Sequence, residues 1–132
     1  MLFRSVVPDM LDAGWGRIVT ISSSSAQQGA PRMAHYSASK GGVMALTRSL
    51  AKEFGAKGIT VNTVPPSMIS SPMSQASQAA GNLPPDEMLT GRIPVGRVGV
   101  PDDIAAAVAF LCSEDASYIT GQTFGVNGGA VV

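Results

Sequence analysis

Tyr36 and Lys40 stand four residues apart in a stretch whose apolar side chains, Val43, Leu46, Leu50 and Phe54, recur at helical spacing. Four residues of helix rise about 6 Å and turn slightly more than once, so both side chains leave the same face. An ammonium beside a phenol favours the phenolate and lowers a tyrosine pKa from its usual value of about 10. A tyrosine tuned in this way can exchange a proton with a carbonyl or alcohol oxygen near neutral pH. That is the part left to the protein where a nicotinamide carries the hydride. The pair alone is a weak motif, because an ordinary helix can carry it by chance. Ser23, thirteen residues upstream, strengthens it. It lies just past the carboxyl end of an apolar strand, where ligands of open parallel sheets bind, and its hydroxyl could stabilise charge on the same substrate oxygen.

These residues need elements to position them. Residues 2 to 13 read as the end of a helix, with Leu2, Val6, Met10 and Leu11 roughly on one face and Gly14 and Gly16 closing it. Arg17 to Ser22 is β-branched and apolar at successive positions, the pattern of a strand buried on both faces. Small and polar residues from Ser23 to Pro31 make a loop. The long helix runs from about Ala34 to Phe54 with Gly55 as its stop, and Ala38, Gly41, Gly42 and Ala45 leave room for close packing. Ile59 to Val64 is a second strand, ended by Pro65 and Pro66. Residues 67 to 95 have weak periodicity, several prolines and Met68, Met73 and Met88, and read as a long binding loop with an adaptable apolar surface. Pro101 opens a helix with Asp102 and Asp103 at the positive end of its dipole. That helix is apolar nearly all round through Cys112, which predicts burial on more than one side. A third strand, Thr123 to Val126, runs into Asn127-Gly128-Gly129. The order predicts one α/β domain over residues 1–132, a parallel sheet of about three strands with flanking helices.

Composition narrows the function classes. Nine basic and nine acidic residues cancel, which argues against nucleic acid and against an acidic membrane surface as partners. No apolar run reaches the roughly 18 residues a membrane span needs. The first eight residues do not read as a signal peptide, since Pro8 and Asp9 interrupt a short apolar run. One cysteine, Cys112, allows no internal disulfide and no cysteine-rich metal site, so a reducing cytoplasmic setting is expected, with Cys112 a small buried hydrophobe. No metal is expected. His35, the one histidine, precedes Tyr36 and points about 100° away from it on a helix, which suits a surface or loop contact. Trp15 is expected to cap an apolar edge, and Arg17 to have a structural ionic role.

Several stretches together resemble the short-chain dehydrogenase/reductase family: Gly16-Arg17-Ile18-Val19-Thr20-Ile21-Ser22-Ser23, Tyr36-Ser37-Ala38-Ser39-Lys40-Gly41-Gly42 and Asn62-Thr63-Val64-Pro65-Pro66. Pro94-Val95-Gly96-Arg97, Ala109-Phe110-Leu111 and Tyr118-Ile119-Thr120-Gly121-Gln122 through Val126-Asn127-Gly128-Gly129 follow in order. The chain is most similar to the branch with 3-oxoacyl-carrier-protein reductases and many bacterial steroid and alcohol dehydrogenases. The resemblance implies a partial Rossmann fold and an oxidoreductase using NADP or NAD to interconvert a ketone, 3-oxoacyl or cyclic and steroid-like, with a secondary alcohol. By the same resemblance Tyr36 is the acid/base, Lys40 holds the nicotinamide ribose and tunes Tyr36, and Ser23 orients the carbonyl. Ser23 is preferred for its spacing to Tyr36, with Ser22 and Ser24 as alternatives. Pro66, Ser67, Ile69 and Ser71 match the segment that contacts the nicotinamide end. Ser67 replaces a usual glycine and Ser71 a usual threonine, the latter keeping a hydroxyl for the carboxamide.

The family's first strand, its Gly-x-x-x-Gly-x-Gly turn and the helix that holds the pyrophosphate have no counterpart here, nor does its Asn-Asn-Ala-Gly strand end. Residues 1–132 therefore match the C-terminal catalytic half, with the N-terminal dinucleotide-binding half absent. The strand at 17–22 is then expected to present an unpaired apolar edge, with homo-oligomer formation as one way to cover it. A chain that binds or oligomerises without turnover is the alternative reading.

Overall fold

The computed structural model describes residues 3–132. Leu2, read as part of the first apolar helix face, lies outside the described residues. Helix α1 spans Phe3–Ala13, strand β1 Gly16–Ile21, the short α2 Ser25–Gln28, the long α3 Ala34–Phe54 and strand β2 Ile59–Val64. Helices α4 (Pro72–Ala79), α5 (Asp86–Thr90) and α6 (Pro101–Leu111) follow, with single 3-10 turns at Gly55–Lys57 and Glu114–Ala116. The fold is α/β: a short parallel sheet flanked by helices.

β1 and β2 pair in parallel, in register from Gly16 opposite Ile59 to Ile21 opposite Val64. Side chains alternate across β2, and each set finds its own layer. Ile59 and Val61 join Ile18 in a cluster with Val7 of α1 and Leu50, Ala51 and Phe54 of α3. Val64 joins Val19 on the other face, against Ile104, Val108 and Leu111 of α6. α1 and α3 thus cover one face of the sheet and α6 the other. In α1 the inward residues are Phe3, Val7, Met10 and Leu11, whereas Val6 is 43% exposed. The turn joining α3 to β2 requires Gly58: its φ is +80°, and a Cβ there would collide with the carbonyl oxygen of Gly14.

The expected third strand is replaced by a looser parallel segment. Among the described residues the sheet has two strands, and residues 121–126 touch β2 and its extension through isolated bridges, Thr63 to Thr123 and Pro66 to Val126. Side chains take over part of the ladder. Asn62, fully buried, donates through Nδ2 to Ile119 O (2.8 Å) and accepts through Oδ1 from Gln122 N (3.0 Å). The Val61 amide donates to Thr120 Oγ1 at 3.0 Å. Pro65 and Pro66 have no amide hydrogen to extend the pairing.

Three further expectations change. The stretch 67–95 contains α4 and α5 rather than a continuous loop. The methionines of its two helices face outward, Met73 at 82% and Met88 at 68% exposure, so the usual apolar periodicity is missing. The readable signal was Ser71-Pro72: Ser71 caps α4 by accepting from Ser74 N, and Pro72 sits at the helix start. α6 is buried on one side only. Ile104, Val108 and Leu111 face the sheet, while Ala105, Ala106, Ala109 and Phe110 are exposed. Cys112, just past that helix, is exposed rather than buried, because none of the described residues covers the outer face. β1 presents the expected unpaired edge: among the described residues it pairs with β2 alone, and most of its residues are half-buried.

Candidate active site

The side chains singled out above gather where the two strands end. α3 packs against both the sheet and α2, bringing the first turns of α3 alongside the segment leaving β1. Lys40 Nζ donates to the carbonyl oxygen of Ile21, the last residue of β1, at 2.9 Å. The same ammonium lies 5.8 Å from the centre of the Tyr36 ring, within range of cation–π attraction. Tyr36, Lys40 and Ser23 are all half-buried, so each has a wall behind it and an open side. Ser39 Oγ donates to Tyr36 O at 2.8 Å, bracing the same turn from outside. Ser37 Oγ, beside Tyr36, is buried without a hydrogen-bond partner. His35 is exposed.

The serine run resolves into distinct environments. Ser22 is 2% exposed, and its hydroxyl accepts from Thr63 Oγ1 of β2 at 2.9 Å. Ser24 is buried and starts α2. Ser23 is the half-buried member, and its hydroxyl accepts from both the amide and the hydroxyl of Ser25, at 3.2 and 2.9 Å. No hydrogen bond joins Ser23 to Tyr36 among the described residues; they share the mouth of the sheet rather than a contact. Ser25 was missed from sequence, although its place two residues beyond Ser23 is the offset of a serine turn.

The segment after β2 is brought to the same end. Pro66 O accepts from Ser24 N at 3.0 Å, tying it to the β1 side. Ser67 is half-buried. Ile69 pairs with Gly99 and lines a cavity of about 190 Å³ with Met68, Ile93, Val95 and Val126. Ser71 is committed to capping α4, with its amide also donating to Ser74 Oγ at 2.8 Å. Arg97 and Asp103, which the sequence did not pair with each other, border this cavity and form a two-pronged ion pair, both contacts 2.7 Å. The Arg97 guanidinium and the Val100 amide hold the Asp103 carboxyl well below the usual carboxylate range. Away from the site, Trp15 is 46% exposed; its Nε1 donates to Glu114 Oε1, and Arg17, paired with Glu114 at 3.3 Å, stacks on its ring. Among the described residues no acidic, His or Cys cluster could hold a metal ion, and no helix is long and apolar enough to cross a membrane.

Several known proteins match the chain along nearly its whole length. A family model described as enoyl-(acyl carrier protein) reductase matches residues 1–131. A 3-oxoacyl-(acyl-carrier-protein) reductase FabG of Rickettsia conorii is 45% identical over 132 residues, all of this chain and 53% of that protein. An acetoacetyl-CoA reductase of Rhizobium meliloti is 46% identical over 124 residues, 91% of this chain and 48% of that protein. The solved structure of ElxO with NADP bound superposes with a TM-score of 0.87 at 30% identity, covering 97% of this chain and 51% of that one. The chain spans about half the length of the curated relatives it matches. With its parallel sheet, its paired Tyr36 and Lys40 and a match along nearly every residue, the chain belongs to the short-chain dehydrogenase/reductase family.

Proposed function

We propose that the chain carries the proton-handling side of a nicotinamide-dependent oxidoreductase that interconverts a 3-oxoacyl ketone and its secondary alcohol. One observation carries this reading: Lys40 is fixed between Ile21 O and the Tyr36 ring, at the end of the sheet from which Ser23 emerges. Tyr36 is the acid/base, exchanging its phenolic proton with the substrate oxygen. Ser23 orients that oxygen and stabilises charge on it. Ser22 and Ser24 are less suited, being buried.

The residues present fit the nicotinamide end of NADP or NAD. Lys40 has three N–H donors and uses one on Ile21 O, leaving two for neighbouring ribose hydroxyls. Pro66, Ser67 and Ile69 supply a wall on the β2 side. Ser71 is a weaker contact, because its hydroxyl caps α4. When bound, the dinucleotide would supply the hydride. The adenosine and pyrophosphate need a glycine-rich turn followed by a helix, which would come from a dinucleotide-binding half outside residues 1–132.

The names of the relatives favour a 3-oxoacyl thioester over a cyclic ketone, whereas the family description raises an enoyl thioester as a second substrate class. A homo-oligomer in the cytoplasm is part of the proposal. Ala38, Gly42 and Ala45 leave an exposed small-residue face on α3 that fits the oligomer. The reading of a silent binding module is favoured by one observation, the uncovered edge of β1. An assay of NADPH oxidation on the natural full-length protein separates these readings. Consumption with a 3-oxoacyl thioester is expected. Consumption with an enoyl thioester alone would reassign the substrate, and none with either would favour the silent module.

A further inference from the structure

We propose that Ser25 is a positioning residue that fixes the Ser23 hydroxyl as a hydrogen-bond donor toward the substrate oxygen; this rests on the role given to Ser23 above. A serine hydroxyl has one hydrogen to donate and two lone pairs to accept with. At Ser23 both acceptor positions are filled from one residue: Ser25 Oγ donates at 2.9 Å and Ser25 N at 3.2 Å. The hydrogen is what remains, and no described group accepts it. The only half-buried hydroxyl of Ser22, Ser23 and Ser24 is thereby left with a single function, donation into the mouth of the sheet.

The amide contact follows from the backbone and would survive any side chain at position 25, as in an ordinary serine turn. The hydroxyl contact does not. Ser25 is 9% exposed, so water has little access to replace it, and among the described residues Ser23 is its one side-chain hydrogen-bond partner. Without it, Ser23 Oγ has a free lone pair and can turn its hydrogen away from the substrate. A donor aimed in advance at developing charge stabilises the transition state more than one that must reorient. The consequence falls on kcat rather than on KM.

The test compares Ser25→Ala, Ser25→Thr, Ser23→Ala and the double Ser23→Ala/Ser25→Ala variant in the full-length protein, with melting temperature as the control for folding. Alanine suits the first position of α2, so the fold should survive. Ser25→Ala is expected to lower kcat about 3- to 30-fold, the range of one hydrogen bond, with KM nearly unchanged. Ser25→Thr keeps the hydroxyl and should recover most of that loss. The double variant should be no slower than Ser23→Ala, because Ser25 acts only through Ser23. Unchanged kcat in Ser25→Ala beside a slow Ser23→Ala overturns this inference and leaves the proposed function standing. Additive losses, or equal losses in Ser25→Ala and Ser25→Thr, overturn it too, by assigning Ser25 to packing. Full kcat in Ser23→Ala removes the role of Ser23, and this inference with it.

Discussion

β2 is buried at all of its residues, from Ile59 to Val64, whereas β1 is buried only at Gly16 and is 43% exposed at Ile21. Both strands are β-branched and apolar, both lie between α3 and α6, and they pair with each other residue for residue. The difference comes from their outer edges. β2 has β1 on one side and residues 121–126 on the other, held by Asn62 and by backbone bonds such as Thr63 N to Gln122 O at 2.9 Å. Among the described residues β1 has a partner on one edge only. Parallel strands are normally covered on both faces and both edges, so β1 presents the surface of an incomplete sheet. The candidate site draws Ser23 and the Ile21 carbonyl from the end of this open strand, and Pro66 and Ser67 from the end of the closed one. α3 spans the two, with Lys40 tethered to β1 and Thr47 Oγ1 3.0 Å from Thr20 Oγ1.

Substitutions matched across the two strands should show that difference as stability. The largest effect is expected for Ile59→Ala, about 2–5 kcal/mol, because a fully buried side chain leaves a cavity. Ile18→Ala in β1 should cost roughly half as much, since water already reaches that side chain. Equal losses in denaturant unfolding would mean that β1 is covered in solution, by a second copy or by another segment. Asn62→Ala comes next, at about 2–3 kcal/mol, because it orphans Ile119 O and Gln122 N together. Hydrogen exchange should then report faster loss of protection at residues 121–124 than in β1. Ile21→Thr should change stability by less than about 0.5 kcal/mol, as expected for a half-exposed strand end. A larger loss would point to an occupied β1 edge.

The smallest effect belongs to a pair that neither strand holds. Asp103 has a carboxyl pKa depressed in the folded state by Arg97 first and by the Val100 amide second. Its stabilisation is therefore present above the unfolded carboxylate pKa of about 4 and is lost as pH falls below it toward the folded value. Both side chains are solvent-accessible, so the effect on melting is small. Asp103→Asn should flatten that part of the pH dependence below about pH 4. An unchanged slope would mean the ion pair does not form in solution.

What could be read from the sequence follows the same divide. α3 was legible because Val43 to Phe54 carry a long helical pattern, but Gly55 does not stop the chain as expected: it keeps a right-handed helical backbone and opens a 3-10 turn, and the left-handed turn falls at Gly58. That Tyr36, Lys40 and Ser23 come to one end of the sheet could be read because their spacing is local to one strand, one turn and one helix. The open edge of β1 was expected from the resemblance, whereas its apolar run taken alone reads as a strand covered on both sides. α6 misled for the same reason: an all-round apolar helix states what it could bury, not what the chain provides to bury it. α4 and α5 were hidden by outward methionines, although Ser71-Pro72 marked the start of one. The loose pairing of residues 121–126 depends on Asn62 reaching Ile119 and Gln122, a contact across roughly sixty residues that spacing does not encode.

The central claim is that Tyr36, held beside Lys40 at the mouth of this sheet, exchanges the proton with the substrate oxygen. Tyr36→Phe in the full-length protein tests it most directly, since it removes one oxygen and keeps the ring beneath Lys40. We expect NADPH-dependent turnover of a 3-oxoacyl thioester to fall by about 100- to 10,000-fold, with the melting temperature and NADPH binding retained. Turnover within a few-fold of the natural protein would contradict the account and place the acid/base elsewhere.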